Sequence, residues 1–193
     1  MIDFSLSEEQ RLLERSVREW AAREVAPHIR ENDRQHRFDR DRILGGMAEL
    51  GLLGISVPAE YGGAGMDYVC LGLASEELEY VDTSLRVILS VHAGLNCLTL
   101  LAWGTEEQKQ RYLVPQAQGK MIAGYGLTEP GAGSDVRAIQ TTAIRKGDRY
   151  VLSGEKSWIS LANTADSFLV FAWTDLDKKK ARETSGISAF IVE

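Results

Sequence analysis

The spacing of the hydrophobic residues changes near residue 120, and that change confines the chain to a helical part followed by a sheet part. Upstream, apolar side chains recur every three or four positions. Leu13, Val17, Trp20, Ala21 and Val25 form one such stripe, Ile43, Met47 and Leu50 a second, and Leu71, Ala74 and Leu78 a third. A fourth segment, about residues 85–102, is apolar on most sides and suits the middle of a bundle. Downstream the period falls towards two, in residues 136–145, 149–153, 156–161, 167–174 and 188–192. A pattern written for one period does not bury its apolar face in the other kind of element.

Local signals mark the element ends. Ser7-Glu8-Glu9-Gln10 and Thr105-Glu106-Glu107-Gln108 have capping-box spacing, in which a hydroxyl and a glutamine satisfy free backbone donors reciprocally. Asp39, Asp67 and Asp82 are further N-cap candidates, and Gly51 stands where a helix C-terminal glycine belongs. Pro27 is expected to end or kink the first helix, residues 31–37 to form a loop, and the helix begun at Thr105 to end before Pro115. The Gly- and Pro-rich residues 58–65 suit turns. Residues 121–128 are an apolar stretch broken by Gly124 and Gly126, Lys146-Gly147-Asp148 is a turn signal, and the charged residues 175–184 are expected at a hairpin tip. The expected class is α+β: an all-α helical bundle over 1–120, then an incomplete β-barrel over 121–193. About five strands do not easily close a barrel, so the chain is expected to be the first part of a longer polypeptide or assembly.

Composition narrows the function classes. Of 193 residues, 44% are hydrophobic and 26% charged, the balance of a folded chain. The net charge of −6 with no basic cluster argues against nucleic acid and anionic membranes as partners. No uninterrupted apolar run approaches the roughly 20 residues that span a bilayer. Met1-Ile2-Asp3-Phe4-Ser5 resembles neither a signal nor a transit peptide, and Cys70 and Cys97 sit in apolar helical patterns, so a cytoplasmic location is expected. His28, His36 and His92 are scattered and there is no C-x-x-C, so no metal site is expected.

Two segments could carry chemistry. Residues 125–135, Tyr-Gly-Leu-Thr-Glu-Pro-Gly-Ala-Gly-Ser-Asp, leave one strand and enter the next through Pro and glycines. Glycines let backbone N–H groups approach an anion, and the Ser134 hydroxyl adds a donor, which suits a diphosphate. The lysine of a Walker A loop and the helix after G-x-G-x-x-G are both lacking. A tight turn with Ser and Asp bonded to local backbone is the plainer alternative. In the second segment, Gly154-Glu155-Lys156-Ser157-Trp158-Ile159-Ser160, a Trp and a hydroxyl two apart on a strand face could stack on and hydrogen-bond a flat heterocycle. Trp158 as a core residue is the alternative.

Taken together with Phe4-Ser5-Leu6-Ser7-Glu8-Glu9-Gln10, Pro58-Ala59-Glu60-Tyr61-Gly62-Gly63 and Gly104-Thr105-Glu106-Glu107-Gln108-Lys109, these segments make the chain resemble the acyl-CoA dehydrogenase flavoproteins over essentially its whole length. Tyr125 to Val136 looks like the family's first signature, and Lys156-Ser157-Trp158-Ile159-Ser160 is similar to its K-x-W-I-[ST] strand. The resemblance implies an N-terminal helical domain, a middle β-barrel and a C-terminal four-helix bundle, with FAD as cofactor. It implies that Tyr125, Leu127, Thr128, Gly133, Ser134, Trp158, Ile159 and Ser160 form the FAD wall. The Leu127 main chain and Thr128 would meet the flavin pyrimidine edge, Gly133 and Ser134 the diphosphate, Trp158 the flavin ring and Ser160 the region of flavin N5. Ser160 stands where the family often has Thr, keeping the hydroxyl and losing a methyl.

The implied reaction is α,β-dehydrogenation of an acyl-CoA. A carboxylate takes the α-proton, the β-hydrogen leaves as hydride to flavin, and hydrogen bonds to the thioester carbonyl stabilise the enolate. The family's base is a Glu of the C-terminal bundle, which this sequence does not reach, so no catalytic residue is named and the chain alone is expected to be inactive and to bind FAD weakly or not at all. The implied substrate contacts are Arg86, Val87, Ile88, Val91 and Ser134. Leu85-Arg86-Val87 is similar to glutaryl-CoA dehydrogenases, where an Arg on this helix meets a distal carboxylate. Arg86 pointing to solvent or pairing with Asp82 is the alternative, and His92 is read as a packed helical histidine rather than a catalytic one. The implied partners are an electron-transferring flavoprotein and, when the protein is complete, three further copies in a homotetramer. A non-catalytic truncated subunit packed on a full-length partner, and an acyl-CoA oxidase, are the competing functions.

Overall fold

The computed structural model describes residues 5–193; Met1 to Phe4, on which part of the targeting expectation and the first residue of the family resemblance fall, lie outside the described residues. The chain divides into two compact units, Met1–Ile122 and Ala123–Glu193.

In the first unit, α1 (Glu8–Trp20) starts from the Ser7 capping box, with Leu13, Val17 and Trp20 buried. The helical path continues through a wide π turn, Ala21–Val25, and a 3-10 turn, Ala26–His28, that holds Pro27. It then resumes as α2 (Ile29–Arg34), where a loop was expected over residues 31–37. Pro27 follows closely on the wide turn, where the helical hydrogen-bond ladder is already interrupted, and Glu31 holds the polar segment through Arg34 Nη1 at 2.7 Å. α3 (Arg40–Glu49) ends before Gly51, which is left-handed at φ +70°. Gly46 lets α3 lie against Trp20, since a Cβ there would stand 2.4 Å from the indole Nε1.

Asp67 caps α4 (Tyr68–Val81) by accepting the Cys70 N–H, and Asp82 caps α5 (Thr83–Leu89) by accepting the Ser84 N–H. α5 runs through a wide turn, Ser90–Cys97, into α6 (Leu98–Trp103). This run, Thr83–Trp103, has mean hydropathy 1.6 and is long and apolar enough to cross a membrane by length and composition, which corrects the expectation that nothing approaches that length. Its apolarity has a second physical source: Leu85, Ile88, Leu89, Ala93, Cys97 and Leu100 are core residues. The Thr105 capping box opens α7 (Glu106–Gln108), and a wide turn, Lys109–Leu113, leads into α8 (Val114–Ala117). Pro115 follows closely on that wide turn, where the helical hydrogen-bond ladder is already interrupted, and the helical path does not stop before it. Arg18 of α1 and Glu77 of α4 join their helices through two hydrogen bonds of 2.7 and 2.6 Å.

The second unit is one five-stranded open sheet among the described residues: β1 (Ala123–Gly126), β2 (Thr142–Lys146), β3 (Arg149–Ser153), β4 (Ser167–Trp173) and β5 (Ile187–Val192). β4 is central. β1 runs parallel to its first half, from Ala123↔Ser167 to Gly126↔Val170, and β2 meets its end in parallel at Thr142↔Trp173. β1 and β2 are thus two stretches along one edge of β4, separated by an excursion over residues 127–141. β3 pairs antiparallel with β2, and β5 pairs antiparallel with β4. The sheet curls enough to bring the rings of Tyr150 on β3 and Phe190 on β5 to 5.3 Å, a contact that a flat sheet in this order does not make. Trp173 is fully buried with Ala132 and Ile139 and donates its indole N–H to the Ile139 carbonyl at 2.8 Å.

Three strand expectations change. Residues 136–145 are extended as strand only from Thr142, because Val136–Ala138 is a 3-10 turn and a carboxylate takes the backbone N–H groups of Gln140 and Thr141. Residues 156–161 are not a strand, because Trp158 and Leu161 have left-handed backbones at φ +56° and +66°. Residues 175–184 do join two antiparallel strands, but they contain α9 (Leu176–Ala181), capped by Asp175 and ended by Arg182 at φ +58°.

Candidate functional site

The 127–141 excursion is built around Glu129. Glu129 and Ala132 exchange both backbone hydrogen bonds at 3.0 Å, so Pro130 and Gly131 form a tight two-residue turn. The Glu129 side chain points inward and is only 5% exposed. Its carboxylate accepts the backbone N–H of Gln140 and of Thr141, the Thr141 hydroxyl, and the Lys156 ammonium at 2.8 Å. Burial works against the charge of this carboxyl, but Lys156, the Thr141 hydroxyl and the two backbone donors outweigh it and hold the group at about 2. From outside, Arg182 pairs with Asp135 and Lys179 donates to the Gln140 carbonyl at 3.0 Å.

Lys156 links the excursion to the 156–160 segment. Its Nζ also donates to the Leu127 carbonyl at 3.0 Å, and the Ser157 N–H donates to the Thr128 carbonyl at 3.0 Å. The same segment passes close to β1: a Cβ on Gly124 would stand 3.3 Å from the Ser160 carbonyl oxygen, and one on Gly126 3.7 Å from Lys156 Cγ. Beyond Ser157 the backbone turns left-handed and Trp158 is 91% exposed. Trp158 is therefore no core residue. Trp158 and Ser160 do not share a strand face, because no strand is present there and Ser160 is half-buried.

The sequence-derived candidates fall into two groups. Tyr125, Leu127, Thr128, Ile159 and Ser160 are half-buried, while Gly133, Ser134 and Trp158 are exposed, all within the second unit. Burial pushes the Tyr125 phenol up. Open space surrounds Gly131 and Gly133, where an added Cβ would meet nothing within 4 Å. The Ser157 Oγ is buried without a hydrogen-bond partner. Open backbone beside a hydroxyl, followed by an exposed indole held on a fixed backbone, is an arrangement that suits a diphosphate joined to a flat ring. The residues present therefore fit FAD.

Arg86, Val87, Ile88 and Val91 belong to the first unit. Ile88 is buried and Val87 and Val91 are half-buried. Arg86 Nε lies 2.8 Å from Glu79 Oε2, and Arg86 together with the Thr83 hydroxyl holds the Glu79 carboxyl below its usual range. The partner is Glu79 of α4, seven residues earlier and not Asp82. His92 is fully buried, with Nε2 3.1 Å from the Gln116 carbonyl, and the Cys97 thiol beside it is pushed by burial up to about 12. The linking role of Lys156 and the inward turn of Glu129 were not read from the sequence. Glu129 stands between Thr128 and Pro130 and Lys156 directly after Glu155, and nothing local to either residue points to its partner 27 positions away.

Comparison with known proteins covers both units. The family model "acyl-CoA dehydrogenase, N-terminal domain" matches residues 7–120 and "acyl-CoA dehydrogenase, middle domain" matches 124–193. The chain is 46% identical, over all of its own length and 49% of the relative, to the short-chain specific acyl-CoA dehydrogenase of Clostridium acetobutylicum. A chain in the structure of the electron transferring flavoprotein of Acidaminococcus fermentans superposes with TM-score 0.92 and 44% identity, over 100% of this chain and 49% of that one. A glutaryl-coenzyme A dehydrogenase in complex with glutaryl-CoA gives TM-score 0.92 at 37% identity, over 100% and 48%. The chain spans about half the length of the curated relatives it matches.

Proposed function

Because the chain belongs to the acyl-CoA dehydrogenase family, we propose that it supplies the flavin-facing wall of an FAD-dependent enzyme that introduces a double bond α,β to the thioester of an acyl-CoA. The observation that carries this reading is the joining of the two chemistry-bearing segments. Lys156 and Ser157 hold the consecutive carbonyls of Leu127 and Thr128, and Trp158 stands exposed directly after them. In this assignment the Leu127 main chain and Thr128 bind the flavin pyrimidine edge, with Tyr125 and Ile159 shaping the wall. Gly133 and Ser134 bind the diphosphate, Trp158 covers the ring, and Ser160 places a hydroxyl beside it. Ser134 also faces the CoA portion of the substrate. Bound FAD would supply the hydride acceptor. No residue of this chain is assigned as the base that removes the α-proton.

The substrate proposed is a short acyl-CoA without a distal carboxylate. The Arg86 guanidinium is already bonded to Glu79, so a dicarboxylic substrate would have to displace a partner of the same chemistry. Likeness to an electron transferring flavoprotein structure supports such a flavoprotein as electron acceptor. Cytoplasmic location and a homotetramer complete the assignment. The test is expression at the length of the relatives, followed by a flavin absorbance spectrum and its bleaching by butyryl-CoA and glutaryl-CoA. A flavin bleached preferentially by butyryl-CoA, with that preference unchanged in Arg86→Ala, is the expected result. A protein that takes up no flavin removes the assignment. Loss of a glutaryl-CoA preference in Arg86→Ala would restore the dicarboxylic reading.

A further inference from the structure

Neither Lys156 nor Glu129 is assigned a contact with FAD or substrate above, yet the pair sits at the junction of the two flavin-facing segments. A trans peptide is planar, with its C=O and N–H pointing in opposite directions. The Leu127 carbonyl and the Thr128 N–H belong to the same peptide group. Lys156 Nζ holds that carbonyl at 3.0 Å, so the Thr128 N–H must point away from Lys156. The Ser157 N–H fixes the next carbonyl, Thr128, in the same way at 3.0 Å. The ammonium cannot drift, because Glu129 Oε1 stands 2.8 Å away and Glu129 is itself tied to Gln140 and Thr141. The Lys156 side chain is 12% exposed, which leaves little water to compete for those bonds.

We infer that Lys156 is a positioning residue for the flavin ring: by holding the Leu127 carbonyl between the two segments it aims the Thr128 backbone N–H at the ligand, with Glu129 as the anchor that keeps it in place. This rests on the flavin-wall reading above. A purely structural pair would serve the diphosphate turn and the ring wall equally; an aiming device acts on the ring alone.

The experiment uses the FAD-loaded holoenzyme, stripped of flavin and titrated separately with FAD and with ADP. Lys156→Met is expected to weaken FAD binding by about tenfold, the scale of one lost charge-assisted hydrogen bond, while ADP affinity stays within about twofold. Because Lys156→Met leaves Glu129 buried without its cation, the double variant Glu129→Gln/Lys156→Met accompanies it. The double variant is expected to regain thermal stability but not FAD affinity, and its bound-flavin absorption bands are expected to stay displaced from wild type. Lys156→Arg, which keeps a donor, is expected to recover part of the FAD affinity. Unchanged FAD affinity in Lys156→Met, equal losses for FAD and ADP, or recovery of FAD affinity along with stability in the double variant would each overturn the positioning role. A wild-type protein that binds neither FAD nor ADP would instead remove the flavin-wall reading beneath it.

Discussion

Among the described residues, each unit buries one carboxylate against one cation, and the two pairs do different work. Glu77 and Arg18 sit on helices whose backbone bonds are complete without them, and the Arg18 side chain is 55% exposed. Glu129 and Lys156 sit in backbone that belongs to no helix or strand, and their side chains are 5% and 12% exposed. Glu77 ties two finished elements together. Glu129 takes over the backbone donors of Gln140 and Thr141 that a sheet ladder would otherwise satisfy. The same ion-pair chemistry is an accessory to packing in the helical unit and a substitute for secondary structure in the sheet unit.

The largest expected effect follows from that difference. Lys156→Met should cost about 3–5 kcal/mol in urea unfolding, the range for removing one partner of a buried pair. Arg18→Met should cost clearly less, since water reaches that guanidinium. Equal losses would break the comparison. Acid gives a second probe of the Glu129 pair. The Glu129 carboxyl is lowered from 4.5 to about 2 in the folded chain, so its contribution is fully present above 4.5 and is lost as the pH falls through about 2. Glu129→Gln should remove that part of the acid limb in unfolding curves measured between these values.

One glycine from each unit gives the next effect. A Cβ on Gly154 would stand 2.3 Å from Thr141 Oγ1 and 2.6 Å from Thr141 Cα, at a backbone φ of +154°. Gly154→Ala should therefore cost about 2–3 kcal/mol, adding backbone strain to overpacking against the hydroxyl that holds Glu129. Gly46→Ala meets first the Trp20 indole, a side chain rather than backbone, and should cost about 1–2 kcal/mol by chemical unfolding. A reversed order would mean that the Thr141 region yields more readily than the helix contact.

How much of each unit could be read in advance follows from the same contrast. The helix starts at Ser7, Asp67, Asp82 and Thr105 are local: each cap and its backbone donor lie within three residues, so the sequence displays both partners side by side. The strands 149–153, 167–173 and 187–192 were legible from β-rich composition between turn residues. The segment 156–161 was not. Its Trp, Ile and Leu suit a strand by type, but Lys156 is drawn to Glu129 and Leu127, 27 and 29 residues away, and the backbone beyond it turns left-handed. The wide turn at Ala21–Val25 was hidden for a related reason, since its apolar stripe differs little from that of an α-helix. At the candidate site the turn residues and Trp158 were visible as types in a pattern. The side chains that hold them together were not, because their partners are distant in sequence.

The smallest expected effect probes the local end of that contrast. Ser7→Ala removes the hydroxyl that accepts the Gln10 N–H at 3.1 Å, while Gln10 Oε1 still accepts the Ser7 N–H at 3.0 Å. The loss should be about 1 kcal/mol, the usual worth of an exposed N-cap. Thr105→Ala removes the matching contact to the Gln108 N–H, which is longer at 3.3 Å, so its loss should not exceed that of Ser7→Ala. Both changes leave the buried stripe Leu13, Val17 and Trp20 untouched, and thermal melts should keep their cooperativity. A cap variant costing as much as Lys156→Met would mean that the helical unit depends on its termini as strongly as the excursion depends on Glu129. The two units would then share one way of being held together.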